Sequence, residues 1–342
     1  MKVAQLMAGA PGGGAELFFE RLTIALARAG ETVLPVIRQD GDRAARLTQA
    51  GLPPAQLRFG GALDLLTSLR LRRLLARFAP RVAIAWMGRA AAHAPVGDWV
   101  LVGRLGGFYD LGRFRRCDHL VANTRAIAAW IRAQGWPDGR VHHLPNFVAD
   151  LGVARPAARA DLGVPMGATL VVALGRLHPN KAFDVLIRAL PHLPGTHAVI
   201  AGEGPERAAL TRLAQAERVA DRVHLPGWLA DTGALLATAD LLVSPSRHEP
   251  LGNVIIEAWS ANRPVVACAH GGAAELLTHG TDGLIVPPED PAALAAAIGA
   301  VLDDPGFAAR LAVAGRARFA RDHAEAPVLE AWRRFLATVE KP

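Results

Sequence analysis

The stretch Ser244-Pro245-Ser246-Arg247-His248-Glu249-Pro250-Leu251-Gly252-Asn253-Val254-Ile255-Ile256-Glu257 sets two carboxylates around a glycine-led helix start. A strand ends at Ser244, a proline-flanked loop carries Glu249, and Gly252 opens the helix. Free N–H groups at Leu251, Gly252 and Asn253, with the helix dipole behind them, suit a phosphate. Glu257 falls over a turn into the same helix, amid Val254, Ile255, Ile256 and Ala258. A carboxylate there wants donors, and ribose hydroxyls are donors of the right kind. Solvent or a nearby arginine would satisfy it equally.

A second loop, Gly175-Arg176-Leu177-His178-Pro179-Asn180-Lys181, follows the apolar run 169–174. Arg176 offers a planar fork and Lys181 a compact point charge, so the two can converge on one diphosphate. Lysine usage singles this loop out. The chain has three lysines, Lys2, Lys181 and Lys341, among 38 basic residues, and only Lys181 is far from a terminus. Two incidental charges on a solvated loop are the plainer alternative. Near the start, Gly9-Ala10-Pro11-Gly12-Gly13-Gly14-Ala15-Glu16 links a strand to a helix, and its glycines let backbone approach a ligand. Read as Gly-x-Gly-x-x-Gly from Gly12, the third glycine is replaced by Leu17, and Glu16 would repel a pyrophosphate.

The elements that must position these groups alternate between short apolar runs and longer helical patterns, which predicts layered α/β structure with parallel sheets. Strands are expected at 3–7, 32–37, 82–86, 99–102 and 119–122, with Pro35 suiting an edge position, and helices at 16–29 and 126–134. A turn-rich break runs from Pro145 to Pro156. Alternation resumes with strands at 169–174, 197–201, 223–225, 241–244 and 264–267. Helices are expected at 183–190, 206–216, 232–237, 253–259, 292–302, 305–320 and 326–339, and Gly271-Gly272 leads a further helix start. The reading is two doubly wound domains, 1–150 and 151–325, with a closing helix over 326–342 packing back on the first. Ligands then belong at strand carboxyl ends, in a cleft between the domains.

Composition limits the alternatives. With 342 residues, 51% hydrophobic and 20% charged, the chain can bury two cores. No apolar run reaches the ~18 residues of a bilayer span. The opening Met1–Met7 reaches its Gly-rich turn too soon for a signal peptide. Cys117 and Cys268, the only cysteines, exclude a disulfide framework and a cysteine-based zinc site. A cytosolic protein is expected. Of the net charge of +7, residues 1–150 carry 20 Lys and Arg against 11 Asp and Glu, leaving 18 against 20 for the remainder. The basic half implies an anionic partner. Its densest segment, Leu66 to Phe78, puts Leu66, Leu69, Leu74 and Phe78 near one helical stripe and Arg70, Arg73 and Arg77 on another face. Such a helix either packs on a sheet or lies on anionic lipid. Nucleic acid is disfavoured by the absence of zinc-ligand or aromatic strand motifs. Asp40-Gly41-Asp42 reads as a solvated turn rather than a metal site.

Glu249 and Glu257 also match the Glu-x7-Glu motif of retaining glycosyltransferases of family 4, and the chain resembles that family along nearly its whole length. The resemblance takes in Gly13-Gly14-Ala15-Glu16, Pro145-Asn146, Gly175-Arg176-Leu177 through Lys181, and Gly202-Glu203-Gly204-Pro205. It continues through Val223-His224-Leu225-Pro226-Gly227, Gly271-Gly272 and Gly283-Leu284-Ile285-Val286. It implies the GT-B fold, two Rossmann-like domains facing across a cleft, and transfer of a sugar from a nucleotide-sugar donor with retained anomeric configuration. By the same resemblance Arg176 and Lys181 stabilise the diphosphate leaving group and Glu249 contacts the donor sugar. Leu251, Gly252 and Asn253 hold its phosphate, Glu257 grips the ribose, and Gly13 and Gly14 face the donor. No cofactor and no metal are expected. Many family members carry a histidine after the strand at 99–102, where this chain reads Val102-Gly103-Arg104-Leu105-Gly106-Gly107. Arg104, His93 and Arg89 are the candidates for sugar or acceptor contact.

The segment around Glu249 further resembles bacterial transferases that build lipopolysaccharide or other cell-surface polysaccharides. Lipid-linked anionic acceptors and peripheral attachment at the inner face of the cell membrane are implied. The rival readings are a dinucleotide-dependent oxidoreductase, a GT-B sugar-nucleotide epimerase and a non-catalytic binding module.

Overall fold

The computed structural model describes residues 1–61 and 64–342. The chain divides into two compact units: Met1–Phe147 with Glu325–Pro342, and Val148–Ala324.

In the first unit, strands β1 (Lys2–Met7), β2 (Thr32–Arg38), β3 (Ala55–Leu57), β4 (Val82–Trp86), β5 (Val100–Leu105), β6 (His119–Ala122) and β7 (Val141–His143) form a parallel sheet. Their order is β3-β2-β1-β4-β5-β6-β7. Strands such as Val82-Ala83-Ile84-Ala85-Trp86 are buried throughout, as a parallel sheet covered on both faces requires. Helices α1 (Gly14–Arg28), α2 (Gly41–Gln49) and α13 (Glu325–Thr338) supply Phe18, Leu22, Leu47, Trp332 and Leu336 to one face. Helices α3 (Leu65–Phe78), α4 (Met87–His93) and α5 (Arg125–Ala133) cover the other with Leu71, Leu75, Ala90, Ala91 and Ile127. The closing helix is tied down by Arg81, whose guanidinium donates to the carbonyls of Leu336, Ala337 and Val339.

The second unit holds β8 (Thr169–Leu174), β9 (Thr196–Ala201), β10 (Val223–His224), β11 (Leu241–Ser244), β12 (Val265–Cys268) and β13 (Leu284–Val286). They are parallel, in the order β10-β9-β8-β11-β12-β13. Helices α6 (Phe183–Ala189), α7 (Arg207–Ala216) and α11 (Pro291–Leu302) pack on one face. Helices α8 (Thr232–Thr238), α9 (Asn253–Ser260) and α10 (Gly271–Leu276) pack on the other, and α12 (Pro305–Arg318) follows α11. Strand order reverses between β1 and β4 in one unit and between β8 and β11 in the other. These are the switch points at whose carboxyl ends α/β proteins bind ligands.

Several expectations are corrected. Strand β2 is interior, not an edge. Pro35 stands opposite Gln5 of β1, while pairing with β3 begins only at Val36, so its missing N–H falls before that ladder starts. Asp40 is no solvated turn but the N-cap of α2, accepting from the Arg43 amide at 3.0 Å. In α3 the buried face is Thr67, Leu71 and Leu75, not the stripe through Leu66 and Leu69. The rotation is set at the cap: Asp64 accepts from the Thr67 amide and hydroxyl, and the Thr67 hydroxyl accepts from the Phe59 amide. Leu65, Leu66 and Leu69 are left 76, 59 and 46% exposed. Finally, β5 runs through Leu105 rather than stopping at Val102, so Arg104 lies inside a strand.

Candidate active site

The second unit's switch point gathers most of the predicted site. Leaving β8, the chain passes Gly175 and Arg176 and closes a short turn at Pro179–Lys181. Gly175 has φ +142°, and a Cβ there would stand 3.0 Å from Lys181 Cε. Glycine thus leaves room for the lysine stem as well as a conformation other residues avoid. Leaving β11, the chain carries Glu249 to Gly252, whose φ of +89° turns it into α9. The Lys181 ammonium and the Glu249 carboxylate form an ion pair, with both side chains about one-fifth exposed. Arg176 is exposed at the end of β8. Leu251 is buried, Asn253 begins α9, and Glu257 is half-buried one turn further along it. Cations and the N-terminus of α9 therefore share one strand edge, an arrangement whose charge and dipole suit phosphate oxygens.

Sequence reasoning missed the residue that joins the two loops. Arg247 donates to both Asp184 oxygens at 2.8 and 2.7 Å, to Glu289 at 2.9 Å and to the Pro179 carbonyl at 2.8 Å. These carboxylates hold its pKa well above the usual arginine value, Asp184 contributing most. The backbone amides of Arg247 and His248 both donate to Asn180 O. Its acidic partners lie 63 and 42 residues away, so no local spacing announces it.

In the first unit, the Gly-rich loop closes on its own acid. Glu16 is buried and accepts the Ala10 N–H at 2.9 Å. It braces the loop by accepting this N–H from within the fold. Gly13 and Gly14 are exposed at the start of α1.

The three contact candidates fare differently. Arg104 is fully buried, with its guanidinium 4.9 Å from the Trp86 ring centre and 5.2 Å from that of Phe18, donating to the Asn146 side chain. Burial pulls its pKa down to about 10. It is a core cation, not a group presented in a loop: two aromatic faces and an amide oxygen offset only part of its desolvation, and Nε and Nη1 have no partner among the described residues. His93 is also buried, its ring nitrogens 3.3 Å from Ser68 Oγ and 3.2 Å from Gly60 O and its ring edge-on to Phe59. It fastens α4 to α3. Arg89 is exposed on α4. Trp86 is wholly core, donating to Gln5 Oε1 at 2.6 Å.

Two Rossmann-like parallel-sheet domains in one chain, with a cationic switch-point site in the second, define a GT-B glycosyltransferase. The comparisons agree. Residues 12–150 match the model of Glycosyltransferase Family 4, and residues 168–304 that of Glycosyl transferases group 1. A lipopolysaccharide core biosynthesis glycosyltransferase of Rhizobium meliloti, LpsD, is 34% identical over 341 residues, covering 97% of both chains. LpsE of the same organism is 33% identical over 336 residues, covering 95% of this chain and 96% of its own. The crystal structure of HepE from Anabaena in complex with UDP-glucose shares the fold, with a TM-score of 0.86 at 23% identity, covering 99% of this chain and 100% of its own. The protein belongs to glycosyltransferase family 4 and is a glycosyltransferase. The oxidoreductase, epimerase and binding-module readings give way to it.

Proposed function

We propose that this glycosyltransferase moves a sugar from a nucleotide-diphosphate donor to a lipopolysaccharide or other lipid-linked, cell-surface glycan, with retained anomeric configuration. The observation that carries this reading is the Lys181–Glu249 pair beside the α9 N-terminus at the β8/β11 switch point. As the bond between the anomeric carbon and the phosphate oxygen breaks, negative charge grows on the leaving diphosphate. Arg176, Lys181 and the amides of Leu251, Gly252 and Asn253 stabilise it, and such preorganised charge is commonly the largest catalytic contribution. Glu249 contacts the donor sugar and Glu257 the ribose, Gly13 and Gly14 contribute their loop, and the cations serve without a metal. The acceptor hydroxyl forms the new bond to the anomeric carbon on the face the diphosphate leaves, and its proton passes to the departing phosphate oxygen.

The relatives that act in lipopolysaccharide core biosynthesis, LpsD and LpsE, support the acceptor class, and the UDP-glucose bound by HepE supports the donor class. Among the described residues no single helix is long and apolar enough to cross a membrane. We infer peripheral attachment from the cytoplasmic side through α3, whose exposed Leu65, Leu66 and Leu69 accompany the exposed Arg70, Arg72, Arg73 and Arg77. An apolar patch beside basic residues suits an anionic lipid surface.

The test is a panel of nucleotide sugars, with released nucleotide measured with and without membrane extract and the product anomer read by NMR. Lys181→Ala and Glu249→Ala are each expected to cut turnover about 100-fold or more. Near-normal turnover in either variant rejects that residue's role, and an inverted anomer rejects retention.

A further inference from the structure

We propose that His270 donates a hydrogen bond from Nε2 to an oxygen of the nucleotide-sugar donor seated on the Leu251–Gly252 turn. The inference rests on the donor site proposed above. His270 lies between β12 and α10 and is 4% exposed. Its Nδ1 is 3.1 Å from Ala273 N and 3.1 Å from Glu249 O. The Ala273 N–H can only donate, so Nδ1 accepts and the ring proton sits on Nε2. Glu249 O is supplied separately, by the Gly272 amide at 3.0 Å. Nε2 is left buried with no partner among the described residues. Buried donors are nearly always satisfied, and leaving one without an acceptor is costly.

The Cε1 edge of the ring lies against the Leu251–Gly252 turn. A Cβ on Gly252 would stand 3.7 Å from His270 Cε1, the atom bonded to Nε2. The two segments interlock so tightly that a Cβ on Gly272 would lie 2.2 Å from Leu251 O. The N-terminus of α9 opens at the same turn, so a ligand oxygen held there comes beside the imidazole. Burial lowers the histidine's pKa, with Lys181 and His248 acting the same way and Glu249 opposing them, so the ring serves as a neutral donor. A diphosphate oxygen and a sugar hydroxyl oxygen are both suitable acceptors.

Calorimetry on the full chain separates them. Wild type, His270→Asn and His270→Gln are titrated with UDP, GDP, ADP, CDP and dTDP, and with the glucose ester of whichever binds. Asparagine keeps an acceptor for the Ala273 N–H but has nothing at the Nε2 position, whereas the glutamine amide reaches it. The expected result is about tenfold weaker binding for Asn and near wild-type binding for Gln. Loss on the diphosphate itself places the acceptor on a phosphate, and loss on the glucose ester alone places it on the sugar. Equal affinities in all three proteins overturn the proposal, as does an equal loss in both variants, which marks a packing role. A wild type that binds no nucleoside diphosphate sinks the donor-site reading itself and the His270 contact with it.

Discussion

Lys181 and Glu249 form an ion pair although 68 residues separate them, and the pairing is imposed by the loops that carry them. Asn180 O accepts from the amides of Arg247 and His248, while Arg247 grips Asp184, Glu289 and Pro179 O. The turn that presents the lysine and the loop that presents the glutamate are thus one braced unit. The pair holds the two side chains at the edge where a diphosphate would take over the ammonium from the carboxylate.

Arg247→Ala should therefore act on catalysis through Lys181. A fall in kcat of about tenfold or more is expected, with a stability loss of only about 1–2 kcal/mol because the network is partly exposed. Arg247→Lys should not restore activity, since an ammonium cannot reproduce the fork on Asp184. Combining Arg247→Ala with Lys181→Ala should add little to the lysine change alone. Kinetics on the three single variants and the double variant decide it, and full additivity would show that Arg247 acts independently of Lys181.

The exposed face of α3 makes a second prediction. Each basic residue near an anionic surface contributes about 1 kcal/mol, so replacing Arg70, Arg72, Arg73 and Arg77 together by alanine should abolish co-sedimentation with anionic vesicles at low salt. Raising the salt should release the wild type, as screening requires. Full co-sedimentation of the quadruple variant rejects membrane contact through this helix.

How far the sequence was legible follows from which forces are local. The β8 turn to Lys181 and the loop from Glu249 to Gly252 could be read because buried apolar strands end at glycines and prolines visible along the chain. The three-residue strands β3 and β7 are too short to show a period. The rotation of α3 escaped because it is set by the Asp64–Thr67 cap, not by leucine spacing. Arg104 looked like the end of a strand because a charge normally leaves a sheet. It stays inside because Phe18, Trp86 and Asn146, remote in sequence, cover it. Arg247 and His270 were invisible as site residues for the same reason: their partners are brought to them only by the fold.

The covering of Arg104 can be tested through Asn146. Removing the amide oxygen leaves a buried guanidinium between two aromatic faces whose Nε and Nη1 already have no partner among the described residues. Asn146→Ala should cost about 3 kcal/mol, the usual penalty of leaving a buried charge uncompensated. Arg104→Met in that background should recover much of the loss, since an apolar chain of similar volume needs no partner. A chemical-denaturation cycle measures the coupling, and additive losses would show that the two side chains do not depend on each other.

The first unit should also weaken in acid through His142. Its Nε2 lies 3.1 Å from His119 Nδ1 and its ring packs on Phe335 of α13, 4.8 Å between centres. His119 in turn stands 2.7 Å from Glu340 O. Burial, then His119 and Arg132, push the His142 pKa from its ordinary 6.5 down to about 4. Between those values the unfolded chain binds a proton that the folded chain refuses, so stability rises with pH across that window. The contribution is complete above pH 6.5 and is lost as pH falls toward 4. Melting temperatures should accordingly drop between pH 6.5 and 4 in the wild type and drop less steeply in His142→Gln, which cannot take up the proton. Identical slopes for the two proteins would mean that acid acts elsewhere in the fold.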